Sequence, residues 1–419
     1  MIIEGTVAPG FEPVRALYER NMQTLAERNT QLCVYVEGEQ VVDLWASAID
    51  DEAFSADSLV NVFSSGKSLE AITLAMLADR GLLDFDARIA DYWPEYAAND
   101  KHETTVADLM RHESGLAAFD TTIDPRDLHP DRIRDNALGA IIAPHAPRFR
   151  PGADNQREYH AITRGWIAGE VFRRVEPAGR TIGQFLRDEV NTVLDADVHI
   201  GLQDEELHRI SGVQMLGIGY QLGQGLLPKA LGRRMELNLP QMVAKVWRLR
   251  AGMRGRSRAR PPVPIEGMRA MSFVDSPDMA RGETPSAGAK CSARGLAKLA
   301  AAMAGGGRFG DVEILSEAGH RTLHDKPVPR NMMALHTNFT QAGLARFDPV
   351  NGASTALDAG LNTGREGFYG WMGLGGSIFQ WHPEKKIGFA YVPTSLNVLD
   401  IVNERGKAYQ AEVVRCLGN

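Results

Sequence analysis

The sequence predicts an α+β fold: an antiparallel β-sheet flanked by helices, with a mostly helical domain inserted between its two halves. Three observations carry this. Strand-type runs joined by tight turns stand near both ends of the chain, while helical segments and loops dominate from about residue 85 to 270. That middle stretch carries prolines at 94, 125, 130, 144, 147 and 151. The joins between strands are hairpins rather than long crossovers, which is antiparallel geometry. The expected division is a discontinuous sheet domain, 1–84 with 271–419, and an inserted helical domain, 85–270.

In chain order, Phe11, Val14, Leu17, Tyr18, Met22 and Leu25 recur at helical spacing within 10–29. Leu32–Val36 and Gln40–Ala46 read as strands, with Glu37-Gly38-Glu39 as the hairpin between them. An apolar helix is predicted over 65–80 and stops at Gly81. Another covers 292–304 and stops at Gly305-Gly306-Gly307. Gly376–Trp381 and Lys386–Pro393 flank a second hairpin at His382-Pro383-Glu384, and 398–416 reads as a closing helix.

The 419 residues suffice to bury a core without disulfides or metal staples. With 44% hydrophobic and 24% charged residues the composition is that of a globular protein, which excludes a disordered or collagen-like chain. A net charge of -7 argues against a nucleic-acid partner. The cysteines, Cys33, Cys291 and Cys416, are three, far apart and without a CxxC pair, so they read as reduced thiols. The first residues lack a basic stretch followed by a long apolar one, and no run reaches 18 apolar residues. The expected location is cytoplasmic.

Among nucleophile signatures, GxSxG is missing: Gly375-Gly376-Ser377-Ile378-Phe379 and Gly352-Ala353-Ser354-Thr355-Ala356 both fail at the last position. His102-Glu103-Thr104-Thr105-Val106 lacks the second histidine of a zincin. Gly66-Lys67-Ser68 matches the end of a phosphate loop, but Asn61 stands where its first glycine belongs. Ser64-x-x-Lys67 is the alternative. If Ser64 opens the helix at 65–80, Lys67 shares its face one turn later. A neutral lysine amine there takes the serine proton, and burial favours the neutral form. The same tetrapeptide also suits an N-cap serine beside a solvated lysine.

Further motifs follow in order. Val62-Phe63-Ser64-Ser65-Gly66-Lys67 precedes Ala78-Asp79-Arg80-Gly81-Leu82-Leu83-Asp84, Asp91-Tyr92-Trp93-Pro94-Glu95-Tyr96 and Thr105-Val106-Ala107-Asp108-Leu109-Met110-Arg111-His112-Glu113-Ser114-Gly115-Leu116. Pro151-Gly152, Tyr159-His160-Ala161-Ile162-Thr163-Arg164-Gly165-Trp166, Thr284-Pro285-Ser286 and Tyr369-Gly370-Trp371-Met372-Gly373-Leu374-Gly375-Gly376-Ser377 come later. This series resembles the serine β-lactamase and penicillin-binding-protein superfamily, above all its class-C-like esterase branch, the family VIII carboxylesterases. The resemblance covers nearly the whole chain and implies the β-lactamase/transpeptidase-like fold. It implies Ser64 as acylated nucleophile, Lys67 as general base and Tyr159 as second proton-transfer residue, its pKa lowered by neighbouring cations. It implies an oxyanion hole made by the backbone N–H groups of Ser64 and Leu374, and no cofactor or metal. Gly373, Gly375 and Gly376 fit close approach by a substrate, and His160 and Trp166 are candidates to line the site.

Two positions depart from the family pattern. The second motif ends in Ala161 where an asparagine is usual, and the third begins with Trp371 where a lysine or histidine is usual. An apolar Trp371 offers no charge to a substrate carboxylate. The departures favour an uncharged small-molecule ester over a β-lactam or D-Ala-D-Ala peptide. They also leave open a catalytically weak binding or scaffold member.

The segment 229–260 holds ten Lys or Arg residues against Glu236 alone, interleaved with Leu, Val, Met and Trp247. It reads either as a solvated face and loop or as a peripheral contact with anionic membrane or lipid.

Overall fold

The computed structural model describes residues 1–150, 156–252, 261–332, 334–351 and 354–418. Pro151-Gly152 of the motif series, Gly352-Ala353 and the arginines at 254, 256, 258 and 260 lie outside them.

The first strands follow from alternation. β1 (Ile2–Val7), β2 (Asn29–Val36) and β3 (Glu39–Ser47) pair antiparallel, with α1 (Glu12–Thr24) between β1 and β2. Leu32 and Val34 enter one core and Cys33 and Tyr35 the other, the period of two expected of a strand buried on both faces. Glu37 and Gly38 turn the hairpin, both at positive φ (52° and 87°), as a two-residue turn between twisted strands requires.

The chain then leaves the sheet. β4 (Val60–Asn61) leads into a 3₁₀ turn, Phe63–Gly66, and α2 (Lys67–Asp79). α2 is buried on all sides from Lys67 to Leu77, the mark of a central helix. Next come α3 (Thr163–Val175), β5 (Val198–His199), β6 (Gln214–Met215), α4 (Ile218–Leu226) and α5 (Leu239–Gly252). β7 (Lys290–Cys291) joins β4 and β5 in a small antiparallel sheet, order β4-β7-β5. α6 (Ala293–Ala304) is capped by Ser292, whose hydroxyl accepts the Gly295 N–H. A short hairpin, β8 (Arg308–Phe309) and β9 (Val312–Glu313), and α7 (Glu317–His324) follow.

The chain returns to the main sheet through β10 (Val328–Met332), β11 (Leu335–Phe339), β12 (Ala345–Arg346), β13 (Tyr369–Met372), β14 (Ile378–His382) and β15 (Ile387–Pro393). Its order is β1-β3-β2-β15-β14-β13-β12-β11-β10, antiparallel at every pairing. β16 (Ser395–Leu396) pairs with β6, and α8 (Glu404–Leu417) closes the chain. α6 covers one face of the sheet; α1 and α8 pack together on the other. The result is the mixed, antiparallel, helix-flanked fold that the sequence predicts.

Two boundaries that bear on the site differ from expectation. The helix expected at 65–80 starts at Lys67, because Ser64 sits in the preceding 3₁₀ turn and Gly66 holds the cap position without a side-chain bond. The closing helix starts at Glu404 rather than 398. Asp400 accepts the Glu404 N–H, and Asn403 stands at φ 53°, so the helix nucleates there. Residues 397–401 are left as a loop beside the site.

Candidate active site

Ser64 is held on a strained turn. Phe63, a bulky residue at φ 48°, precedes it, a conformation that persists only when the surroundings enforce it. The enforcing contacts come from the β13–β14 turn: Ser65 Oγ and Ser377 Oγ are 2.9 Å apart, and Ser377 Oγ donates to the Val62 carbonyl at 2.6 Å. The Ser64 hydroxyl caps no helix and is left free to face Lys67.

Lys67 Nζ lies 3.3 Å from Ser64 Oγ, 2.7 Å from the Ala161 carbonyl and 2.9 Å from the Ser286 carbonyl. A neutral amine has two N–H donors and one lone pair. Charged, Lys67 donates to all three oxygens; neutral, it keeps the two carbonyls and turns its lone pair to the Ser64 hydroxyl. Burial pushes Lys67 well below the ordinary lysine range; Arg164 lowers it further, and Glu70 opposes both.

Tyr159 stands over this pair. Its ring centroid is 4.9 Å from Lys67 Nζ, and Trp371 Nε1–H donates to its hydroxyl at 3.0 Å. Burial raises Tyr159 above the usual phenol range, although hydrogen bonding with Ser64 and Trp371 acts the other way. The sequence-based expectation of a lowered tyrosine is therefore corrected: desolvation outweighs Arg164 and the two hydrogen bonds and shifts the group toward the neutral phenol.

Two adjoining cavities share Ser64, Tyr159 and Leu374. One, about 240 Å³, is lined by Phe63, Ile162, Met268, Met271, Phe273 and Val274 among others. The second, about 230 Å³, is lined by Met332, Leu335, Trp371, Gly373, Gly375 and Ile401 among others. Neither has a lysine or arginine among its described lining residues. Larger cavities, about 410 and 650 Å³, lie elsewhere along the sheet and do not include Ser64.

The other predicted site residues divide. Leu374 and Trp371 reach the cavities. His160 does not. It is fully buried, its Nε2 accepts the Leu116 N–H at 3.2 Å and meets Ser114 Oγ at 2.8 Å, and its Nδ1 donates to the Glu158 carbonyl at 2.6 Å. Its place among substrate-binding residues is corrected, because both ring nitrogens are satisfied inside the core. Trp166 is likewise core, stacked on Phe119. Gly373 and Gly375 line the second cavity, and all three glycines also make room for the protein's own atoms. A Cβ at Gly373 would overlap the Val62 carbonyl oxygen and Ser377 Oγ, one at Gly375 would meet the backbone of Leu396, and one at Gly376 would meet the Arg405 guanidinium.

Residues outside the predicted set complete the surroundings. Arg164 is fully buried; Nε donates to Glu70 at 2.9 Å, and the guanidinium also bonds the carbonyls of Lys67, Met110 and Gly343. It ties α3 to α2 behind Lys67. His112, buried and at φ 68°, lies with its ring 4.9 Å from that of Tyr159, and its Nδ1 accepts the His160 N–H. A signal for Glu70 was present: a carboxylate inside a buried helix needs a buried partner, here Arg164.

Fold and site together define a serine hydrolase of the β-lactamase fold. The chain belongs to the Beta-lactamase family, whose model matches residues 14–411. It is 29% identical over 380 residues to the esterase/beta-lactamase LipL of Mycobacterium tuberculosis (strain ATCC 25618 / H37Rv), spanning 87% of this chain and 76% of that one. A crystal structure of a family VIII carboxylesterase matches at a TM-score of 0.75 and 25% identity, covering 99% of this chain and all of the other. A penicillin-binding protein homologue from Caulobacter crescentus matches at a TM-score of 0.71 and 26% identity, covering 99% of this chain and 100% of that one.

Proposed function

We propose that the protein is a carboxylesterase that cleaves uncharged esters with an apolar acyl group through an acyl-serine intermediate. The observation that carries this is buried Lys67 held 3.3 Å from Ser64 Oγ by the Ala161 and Ser286 carbonyls, with burial favouring its neutral form. Ser64 Oγ attacks the ester carbonyl carbon while its proton passes to Lys67 Nζ. The N–H groups of Ser64 and Leu374 stabilise the oxyanion. The Tyr159 phenol gives its proton to the departing alkoxide and regains one from Lys67. Water then attacks the acyl-Ser64 carbon, its proton leaves by the same groups, and the carboxylic acid and free Ser64 result. Trp371 Nε1–H holds the Tyr159 oxygen in place.

The cavities support the substrate class. Apolar side chains offer burial to an acyl chain, and a substrate carboxylate would meet no lining cation among the described residues. A β-lactam or a D-Ala-D-Ala stem is disfavoured for that reason. In this reading 1–84 and 271–419 form the sheet domain and 85–270 the insert, supported by the origin of the nine main strands in 2–47 and 328–393. The location is cytoplasmic, with peripheral contact to anionic membrane or lipid through 229–260. Unpaired Cys33, Cys291 and Cys416 suit a reducing compartment, and no described helix is long and apolar enough to cross a membrane.

A fluorophosphonate probe tests the nucleophile. Wild type is expected to label and Ser64→Ala not to label. p-Nitrophenyl esters of rising chain length are expected to be hydrolysed faster than a chromogenic cephalosporin. Unlabelled wild type supports a binding protein instead, and faster cephalosporin turnover overturns the ester assignment.

A further inference from the structure

The helical insert carries an apolar surface that the fold leaves uncovered. On α4, Ile218, Leu222 and Leu226 follow each other at one-turn spacing on an exposed face, while Gln221 and Gly225 are buried toward the protein. Leu231, in the turn after α4, is 70% exposed. On α5, Val243 and Trp247 are again one turn apart, at 56% and 62% exposure. α4 and α5 pack on one another, so these six side chains belong to one helical pair. So many exposed large apolar side chains on two packed helices and the turn between them exceed single, scattered exposure.

Charge selects the partner. From 215 to 248 the chain carries Lys229, Arg233, Arg234, Lys245 and Arg248 against one acid, Glu236. Glu236 pairs with Lys229, and Glu404 of α8 pairs with Lys245. Arg234 and Arg248 are exposed on the same stretch of chain, and Arg234 also donates to the Leu25 carbonyl at 2.8 Å. A second copy docking here by two-fold symmetry would set like charges against each other. An anionic lipid surface accepts both the cations and the apolar side chains.

The surface also adjoins the site. The Leu216 N–H donates to the Leu396 carbonyl at 3.0 Å, and the Leu399 N–H donates to Gln221 Oε1 at 3.2 Å. Asn397, Val398, Asp400 and Ile401, around that second contact, line the cavity that holds Ser64 and Trp371. We infer that α4, the turn at Leu231 and α5 form an interfacial docking surface for anionic lipid, which sets the mouth of the active-site cavity against a lipid layer. The delivery of lipid-borne esters to Ser64 rests on the esterase reading above; the docking itself does not.

Docking is measured first in Ser64→Ala protein, so that hydrolysis plays no part. Co-sedimentation with vesicles of equal phosphatidylglycerol and phosphatidylcholine is expected, and it weakens in pure phosphatidylcholine and at high salt. The combined change Leu226→Ser, Leu231→Ser and Trp247→Ser is expected to weaken it by about 100-fold. In the otherwise wild-type enzyme these three changes leave turnover of soluble p-nitrophenyl acetate unaltered. Absence of vesicle binding by the parent protein, or equal binding by the triple variant, overturns the proposal. So does a dimer in sedimentation that the three changes convert to monomer, because the surface is then a contact between copies. Vesicle binding without any ester turnover would retain the docking surface and overturn the esterase reading alone.

Discussion

At the scale of single residues, the protonation state of Lys67 dominates. Burial lowers its pKa, so kcat/KM is expected to hold from alkaline pH down to that lowered pKa and to fall below it as the amine protonates. Lys67→Arg places an always-charged guanidinium there, and kcat is expected to drop about 10³-fold. Stability carries the same signature. The unfolded lysine keeps its proton to about pH 10.4, while the folded one has lost it at lower pH. The unfolded state therefore binds more protons between the two values, and stability rises with pH across that window. Thermal midpoints measured across the window are expected to rise less steeply in Lys67→Met than in wild type. The Ser64–Lys67 pairing was legible in the sequence because three-residue spacing is local. The part played by Ala161 was not. Its side chain lacks the usual amide, but its carbonyl holds Lys67, and a backbone contact leaves no mark on residue type. His160 was misplaced for a related reason: adjacency to Tyr159 does not say which way a loop side chain turns.

At the scale of elements, the site depends on how closely the end of β13 approaches the strand before Ser64. Gly373 permits that approach, since a Cβ there would overlap the Val62 carbonyl oxygen and Ser377 Oγ. Gly373→Ala is expected to cost about 1–3 kcal/mol and most of the esterase activity, read by chemical denaturation and by initial rates. Gly219, inside α4 with nothing near its Cβ position, supplies the control; Gly219→Ala is expected to retain both stability and rate. β2, β3, β14 and β15 were legible from strand-type runs joined by turns, and α1, α2 and α6 from apolar residues continued over several turns; β1 and β10–β12 were not placed. The start of α8 was not, because Asp400 and Asn403 set it through local geometry that interrupts an otherwise helical pattern.

At the scale of the whole molecule, Arg164 and Glu70 join segments 94 residues apart, both without solvent exposure. Arg164→Met leaves Glu70 buried without its cation and is expected to cost about 3–5 kcal/mol. Adding Glu70→Leu is expected to recover part of the loss, because the two groups are coupled; strictly additive effects in thermal unfolding would contradict that coupling. The chain's charge also divides at this scale, with a cationic stretch on the insert of an otherwise acidic protein. By itself the sequence determined what depends on local order: the alternation of the strands, the apolar central helix, the serine–lysine spacing and the series of motifs shared with the esterases. Tertiary structure alone decided which groups meet across long separations. It brought Tyr159 and Trp371 to Ser64, turned His160 into the core, and buried Lys67. Those outcomes follow from burial and close packing, which are set by the whole fold and not by any short stretch of residues.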